Sequence, residues 1–137
     1  MCFARQYENF NNKDLHKPLT FDGTRYADEI TCDNVGLRAA YSAFQKLMKE
    51  KGEEKTLSGL GLNSEKVFFL SYAQAWCVNY RQPTLVNHYY KTGKHPAARF
   101  RIVGTLRNAP EFAKVFNCPL GSPMNPEEKC SRIYGSG

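Results

Sequence analysis

Apolar residues recur at three- and four-residue steps between Asp28 and Lys51, with polar and charged positions between them. This spacing collects the apolar side chains on one face of a helix, and Gly52 follows at a point where helices commonly end. The pattern therefore predicts an amphipathic helix over this segment. Its apolar face consists of Ile30, Leu37, Ala40, Tyr41, Phe44, Leu47 and Met48.

A second apolar segment runs from Glu65 to about Tyr80. Because apolar residues occur nearly all round the helical cylinder in this segment, the pattern predicts a buried helix. Pro83 interrupts the pattern, and we expect a short helix from there to Tyr90.

Three further stretches are predicted from local signals. Residues 1–27 show no apolar period and contain several turn-forming residues, so they are predicted to be irregular. Residues 100–106 are predicted to form a short strand or an extended turn. The run NAPE at 108–111 combines an N-cap residue type, an early proline and an acidic residue, which predicts a helix to about Phe116.

Together these elements predict a mainly α fold with few short strands. A length of 137 residues suits one domain, and we expect residues 1–134 to form it. Residues 135–137 (GSG) have the composition of a linker or tail.

The charge and the apolar runs of the sequence indicate which kinds of binding partner to expect. The net charge is +6, but the basic residues are scattered among acidic ones, which is typical of a solvated surface rather than a nucleic-acid-binding one. No apolar run approaches the length of a membrane helix. We therefore expect neither a nucleic-acid partner nor a membrane span in this chain.

The five cysteines carry information about the compartment. None of them forms a C-x-x-C pair, which argues against a zinc ribbon or a redox motif and favours disulfides between distant segments. An odd number leaves at least one thiol free or paired with another chain. We expect an oxidising environment and a secreted or extracellular protein.

Two pairs of polar residues are candidates for chemistry. Glu29 and Asp33 lie four residues apart, so they share a helix face. One interpretation is a metal ligand with a supporting carboxylate. The other is an acidic first helical turn that interacts favourably with the helix dipole. His95 and Arg101 either donate hydrogen bonds to a developing oxyanion and a substrate carbonyl or are ordinary surface residues. Spacing alone favours the structural interpretation of both pairs. No H-E-x-x-H motif occurs in the sequence, so no zincin site is complete within it.

Several runs, in order along the chain, resemble motifs of the neprilysin-like (endothelin-converting enzyme-like) M13 zinc peptidases. They are EITCDNVGL at 29–37, VFFLSYAQAWC at 67–77, KTGKH at 91–95, FRIVGTLRN at 100–108, EFA at 111–113 with FNC at 116–118, and MNPEEKC at 124–130. The resemblance covers most of the chain. It implies the fold of the helical C-terminal part of the family's zincin catalytic domain.

The resemblance also implies roles for single residues. Glu29 matches the family's third zinc ligand, and Asp33 matches the carboxylate that orients a zinc-binding histidine. His95 matches the histidine that stabilises the tetrahedral intermediate, and Arg101 matches the arginine that binds a substrate carbonyl. The zinc histidines and the general base belong to an HExxH segment upstream in the family. Zinc is therefore expected in the intact family, whereas this chain alone offers a single ligand and is expected to hold none.

The cysteines are assigned by the same resemblance. Cys2 and Cys130 match a pair that closes within this region, so a bridge between them is expected. Cys77 and Cys118 match cysteines whose family partners lie upstream, and a bridge between these two is a hypothesis for the chain alone. Cys32 replaces the family's usual alanine, and is either a buried small residue or a thiol for an intermolecular bridge.

Three functions are compatible with the sequence. The first is a non-catalytic secreted module that keeps the scaffold and binds a protein or peptide; departures from the family pattern, such as Val35 in place of a glycine and Gly93 in place of an aspartate, fit relaxed catalytic demand. The second is part of an active metalloendopeptidase, supplying Glu29, His95 and Arg101 to a portion on another chain. The third is a structural protein that forms homo-oligomers through Cys32.

Overall fold

The structure is a computed structural model, and its described part comprises residues 2–10, 21–52, 59, 61–87 and 93–131. Within these residues there are six helices and no strand, only an isolated bridge between Ser122 and Asn125. The mainly α prediction is therefore confirmed. The helices are α1 (Cys2–Glu8), α2 (Ala27–Lys51), α3 (Ser64–Ala75), α4 (Gln82–Leu85), α5 (Ala98–Leu106) and α6 (Pro110–Val115).

Helix α2 is the longest element and matches the predicted amphipathic helix. Its fully buried residues are spaced by three or four positions, and its acidic first turn and basic last turn suit the helix dipole. At its end, Gly52 adopts a positive φ of 81° and donates its backbone N–H to Met48 O. The buried residues of α2 are Ile30, Asn34, Leu37 and Tyr41.

Helix α3 differs from its prediction in both length and burial. It begins where the Asn63 side chain accepts the Lys66 N–H, and it ends at Ala75, five residues before the predicted end. Only Phe69 is fully buried, and Leu70 is 44% exposed. The prediction of a helix buried all round is wrong for the described residues, because neighbouring elements pack on one side of α3 only.

Two elements were missed because tertiary contacts override local signals. Helix α1 lies within a segment predicted to be irregular, and it is held by the burial of Phe3, Ala4 and Tyr7. Helix α5 replaces the short strand or extended turn predicted at 100–106, since helical spacing lets Phe100 and Gly104 face the core together.

The remaining predictions are met in part. Helix α6 forms as expected, but Ala109 occupies its N-cap position, because the Asn108 side chain is engaged elsewhere. The short helix α4 follows the break at Pro83, while Tyr90 and the expected linker at 135–137 lie outside the described residues.

Two aromatic-rich clusters form the core. The first joins α1, the start of α2 and the start of α5, and the second joins the middle of α2 with α3, α6 and the end of α5. In the second cluster Tyr41 stacks on Phe69 with ring centroids 5.1 Å apart and donates its hydroxyl to Glu65 at 2.5 Å. These contacts fix α3 against α2. No helix of the described part is both long and apolar enough to cross a membrane.

We predict opposite effects for alanine at two helical glycines. A Cβ at Gly104 would lie 2.1 Å from the ring of Tyr7, which is fully buried and cannot move away, so Gly104→Ala should lower the free energy of unfolding by about 1–3 kcal/mol. Gly36 lies inside α2, and a Cβ added there would meet no neighbouring atom. Gly36→Ala should therefore raise the free energy of unfolding by about 0.5–1 kcal/mol. Urea unfolding measures both, and equal effects would contradict the packing of α1 on α5.

Candidate functional site

Helices α2 and α5 bring the four candidate residues into one cluster. Glu29 and Asp33 lie one turn apart near the start of α2, and Arg101 lies in the first half of α5. His95 is in the loop that precedes α5. Residues that are separated by more than sixty positions along the chain are therefore in direct contact.

The strongest contact in the cluster is between Asp33 and Arg101. Arg101 donates from Nε to Asp33 Oδ2 at 2.7 Å and from Nη2 to Asp33 Oδ1 at 2.6 Å. The two side chains are only 10% and 15% exposed, so this bidentate pair is largely shielded from water. Hydrogen bonding to Asp33 raises the pKa of Arg101, despite the opposing effect of burial.

Helix α3 and the residue that follows it support Arg101 from a second side. Trp76 places its ring under the guanidinium, with the Arg101 Cζ 3.9 Å from a ring centroid. One helical turn earlier, the Tyr72 hydroxyl donates to the backbone carbonyl of Arg101 at 3.2 Å. Arg101 is thus fixed at both its backbone and its side chain.

Glu29 uses its two carboxylate oxygens differently. Its Oε1 lies 2.5 Å from His95 Nδ1 and 3.5 Å from Arg101 Nη1. Its Oε2 is buried and has no hydrogen-bond partner in the described part of the chain. A buried acceptor without a partner is costly, which marks Oε2 as an oxygen that a further group would satisfy.

The donor set fits zinc only in part. A catalytic zinc site uses three protein ligands, and Glu29 Oε2, a carboxylate oxygen without a hydrogen-bond partner, has the chemistry of one such ligand. Among the described residues there is no cluster of three or more His, Cys, Asp or Glu side chains that could hold a metal ion. The described residues therefore offer a single carboxylate of the ligand type that zinc uses and not a complete zinc site.

Two apolar cavities flank α3. One, of about 700 Å³, lies between α2 and α3, and Cys32 and Asp33 are part of its lining. The other, of about 1140 Å³, lies between α3 and α5 and is lined in part by Leu70 and Trp76. The apolar positions that α3 does not bury against the rest of this chain therefore line open cavities.

One of the two disulfides considered from the sequence is present in the structure. Cys2 and Cys130 form a disulfide with their Cα atoms 5.7 Å apart. The hypothetical bridge between Cys77 and Cys118 is not formed: both thiols are free, and one follows α3 whereas the other follows α6. Cys32 is a free, exposed thiol and not a buried small residue.

Comparison with known proteins identifies the family. A model of Peptidase family M13 matches residues 1–132, so the chain belongs to this family, as the motifs predicted. Human neprilysin is 46% identical over 129 residues, which cover 94% of this chain and 17% of neprilysin. Rat endothelin-converting enzyme 1 is 43% identical over 129 residues, covering 94% of this chain and 16% of that enzyme. The chain thus spans about a sixth of the length of these relatives.

Two solved structures share the fold. A galactose-containing glycoprotein complex from Haemonchus superposes with a TM-score of 0.82 at 32% identity, covering 92% of this chain and 21% of that one. A zinc metalloprotease from Mycobacterium tuberculosis in an open state gives a TM-score of 0.84 at 22% identity, covering 97% and 21%. The expected fold, the helical C-terminal part of an M13 catalytic domain, is confirmed.

Sequence reasoning missed Tyr72 and Trp76 as supports of the site. Both belong to the run at 67–77, in which the apolar pattern predicts a buried helix and the resemblance implies no role for either residue. Their spacing of four residues places two aromatic side chains with polar atoms on one helix face, and this is the signal that was available.

We predict that Asp33→Asn will destabilise the chain by about 2–4 kcal/mol, because it leaves Arg101 charged, largely shielded and without its partner. The matched control is Glu50→Gln, which removes a carboxylate paired with Lys46 at 3.9 Å on the exposed face of α2. This control should change the free energy of unfolding by less than about 0.5 kcal/mol. Equal losses in the two variants, measured by urea unfolding, would contradict the importance of the Asp33–Arg101 pair.

Proposed function

We propose that this chain forms the C-terminal part of an M13 zinc metallopeptidase site. The observation that carries the proposal is the buried, unpartnered Oε2 of Glu29, which lies in one cluster with Asp33, His95 and Arg101. In this proposal Glu29 supplies one zinc ligand, and the other ligands come from an HExxH-bearing portion that is not part of this sequence. Zinc, when bound, would activate a water molecule for attack on a peptide carbonyl.

Each residue of the cluster then has a defined task. Asp33 holds the Arg101 guanidinium in a fixed plane through two hydrogen bonds, so that its remaining N–H groups can bind a substrate carbonyl. His95 is 68% exposed at its side chain, so it can turn from Glu29 towards the negative charge that develops on a substrate oxygen. Carbonyl binding and oxyanion stabilisation are both tasks for hydrogen-bond donors, which these two residues supply.

The cavities on either side of α3 support the same proposal. The cavity between α2 and α3 is large enough for side chains of another helix, and Asp33 lies in its lining. A segment packed there would cover the apolar surface and bring its own polar side chains close to Glu29. Apolar burial of this kind is the usual driving force for the association of two parts of one domain.

A second function, a non-catalytic module that binds a protein or peptide, is favoured by a different observation. Glu29 Oε1 already has two cationic or donor partners, His95 and Arg101, so the cluster is satisfied on that side without a metal. In that case the cavities beside α3 would hold the partner. Under either function we propose an extracellular location, because the Cys2–Cys130 bridge requires an oxidising compartment to persist.

A chimera tests the two functions against each other. The 129 matching residues of human neprilysin would be replaced by those of this chain, and zinc content and peptide cleavage would be measured on the purified protein. We expect about one equivalent of zinc and measurable cleavage. Glu29→Ala in the chimera should lower the zinc content to below about a tenth of an equivalent and abolish cleavage.

The matched control is Asp28→Ala, which removes an exposed acidic side chain from the same helical turn. It should leave both zinc content and cleavage unchanged. A folded chimera that binds no zinc would favour the binding module. A Glu29→Ala chimera that keeps its zinc would show that Glu29 is not a ligand.

A further inference from the structure

The Cys2–Cys130 bridge lies at one end of a series of contacts that leads to the Asp33–Arg101 pair. The backbone N–H of Cys130 donates to Asn108 Oδ1 at 3.0 Å. The same side chain donates from Nδ2 to Asn34 Oδ1, also at 3.0 Å, and Asn34 directly follows Asp33. The disulfide is therefore two side chains away from the residue that holds Arg101.

Helix α1 connects the bridge to the site by a second route. Gln6 and Asn108 exchange two hydrogen bonds, at 2.8 and 2.7 Å, through their side-chain amides. The buried Tyr7 packs against Gly104, and its hydroxyl lies 3.4 Å from the Thr105 hydroxyl. Helix α1 therefore also contacts α5, one turn after Arg101. Because the bridge begins at the first residue of α1, it restrains this helix against both α2 and α5.

The bridge is accessible from one side. Cys2 is exposed, whereas Cys130 is 5% exposed and belongs to the first core cluster. The Cys2 end of the bridge therefore lies at the surface of the described part of the chain. The two cysteines are 128 residues apart, so without the bridge nothing covalent keeps the last segment near α1.

We propose that the Cys2–Cys130 bridge is a redox-sensitive device that sets the geometry of the Asp33–Arg101 pair through Asn108 and α1. Its significance for peptide cleavage rests on the function proposed above, but the device itself concerns the arrangement of α1, α2 and α5. In the oxidised chain Arg101 is held by Asp33. In the reduced chain α1 and the 125–131 segment move away from Asn108, and the pair loosens.

The chemistry is ordinary thiol–disulfide exchange with a dithiol reductant. One thiolate of the dithiol attacks Cys2 Sγ, the S–S bond breaks, and Cys130 leaves as a thiolate that takes up a proton. The second thiol of the reductant then displaces Cys2 and closes into a disulfide. In total two electrons and two protons pass from the dithiol to the protein, which gains two thiols.

The effect should be local because the second core cluster does not depend on the bridge. That cluster joins α3, α6 and one face of α5, through Ile102 and Leu106, to the middle of α2, and Cys2, Cys130 and the residues of α1 are not among its members. Aromatic contacts such as those of Phe69 with Tyr41 and Phe112 hold it together. Reduction should therefore loosen the contacts of α1 with α2 and α5, so that α5 keeps only its packing in the second cluster, and leave α3, α6 and the middle of α2 folded.

Two measurements on the whole chain test the device. Trp76 is the single tryptophan and stacks under Arg101, so its fluorescence reports the position of that side chain. Hydrogen exchange reports α5 and α6 separately. The protein would carry Cys32→Ser, Cys77→Ser and Cys118→Ser, so that the dithiol acts on the bridge alone.

On reduction we expect the Trp76 emission to shift in the same direction as in Asp33→Asn, and exchange in 98–106 to accelerate at least about tenfold. Exchange in 110–115 should stay within about twofold, and reoxidation should restore the starting values. A loosening confined to α1 and 125–131, with unchanged Trp76 emission, would overturn the proposal, as would global unfolding. Neither readout uses zinc or peptide, so a chimera without activity leaves this result unaffected.

Discussion

The bidentate pair between Asp33 and Arg101 is the contact on which the rest of the site depends. Two shielded charges carry a desolvation cost that only good geometry offsets, so the pair is stable only while α2 and α5 keep one relative position. That position also brings His95 to Glu29. The pair therefore specifies an arrangement of helices more than it adds to the overall stability.

The sequence predicted those parts of the fold that local patterns encode. Helix α2 was predicted almost to the residue, because its apolar face, its acidic start and Gly52 all agree. Helix α5 was not predicted, because Ile102 and Val103 favour strands. The contact that supports the helix joins Gly104 to Tyr7, and these residues are nearly a hundred positions apart in sequence. Local propensity carries no information about such a contact.

The candidate site, like the fold, was predicted from the sequence in part. Motif resemblance named Glu29, Asp33, His95 and Arg101, and the structure brings all four together. Spacing alone favoured an acidic helix start for the first two, because it cannot show that Arg101 lies opposite Asp33. The direct partnership of Glu29 with His95 was not foreseen either, since it depends on how the loop before α5 folds back.

Helix α3 is stabilised by this chain from one side and carries Trp76 immediately after its end. A polypeptide that binds only to folded α3 would stabilise this helix and with it the surface on which Arg101 rests. Binding beside α3 and ordering of Arg101 are then thermodynamically coupled. By the reciprocity of such linkage, whatever fixes Arg101 must strengthen binding beside α3 by the same factor.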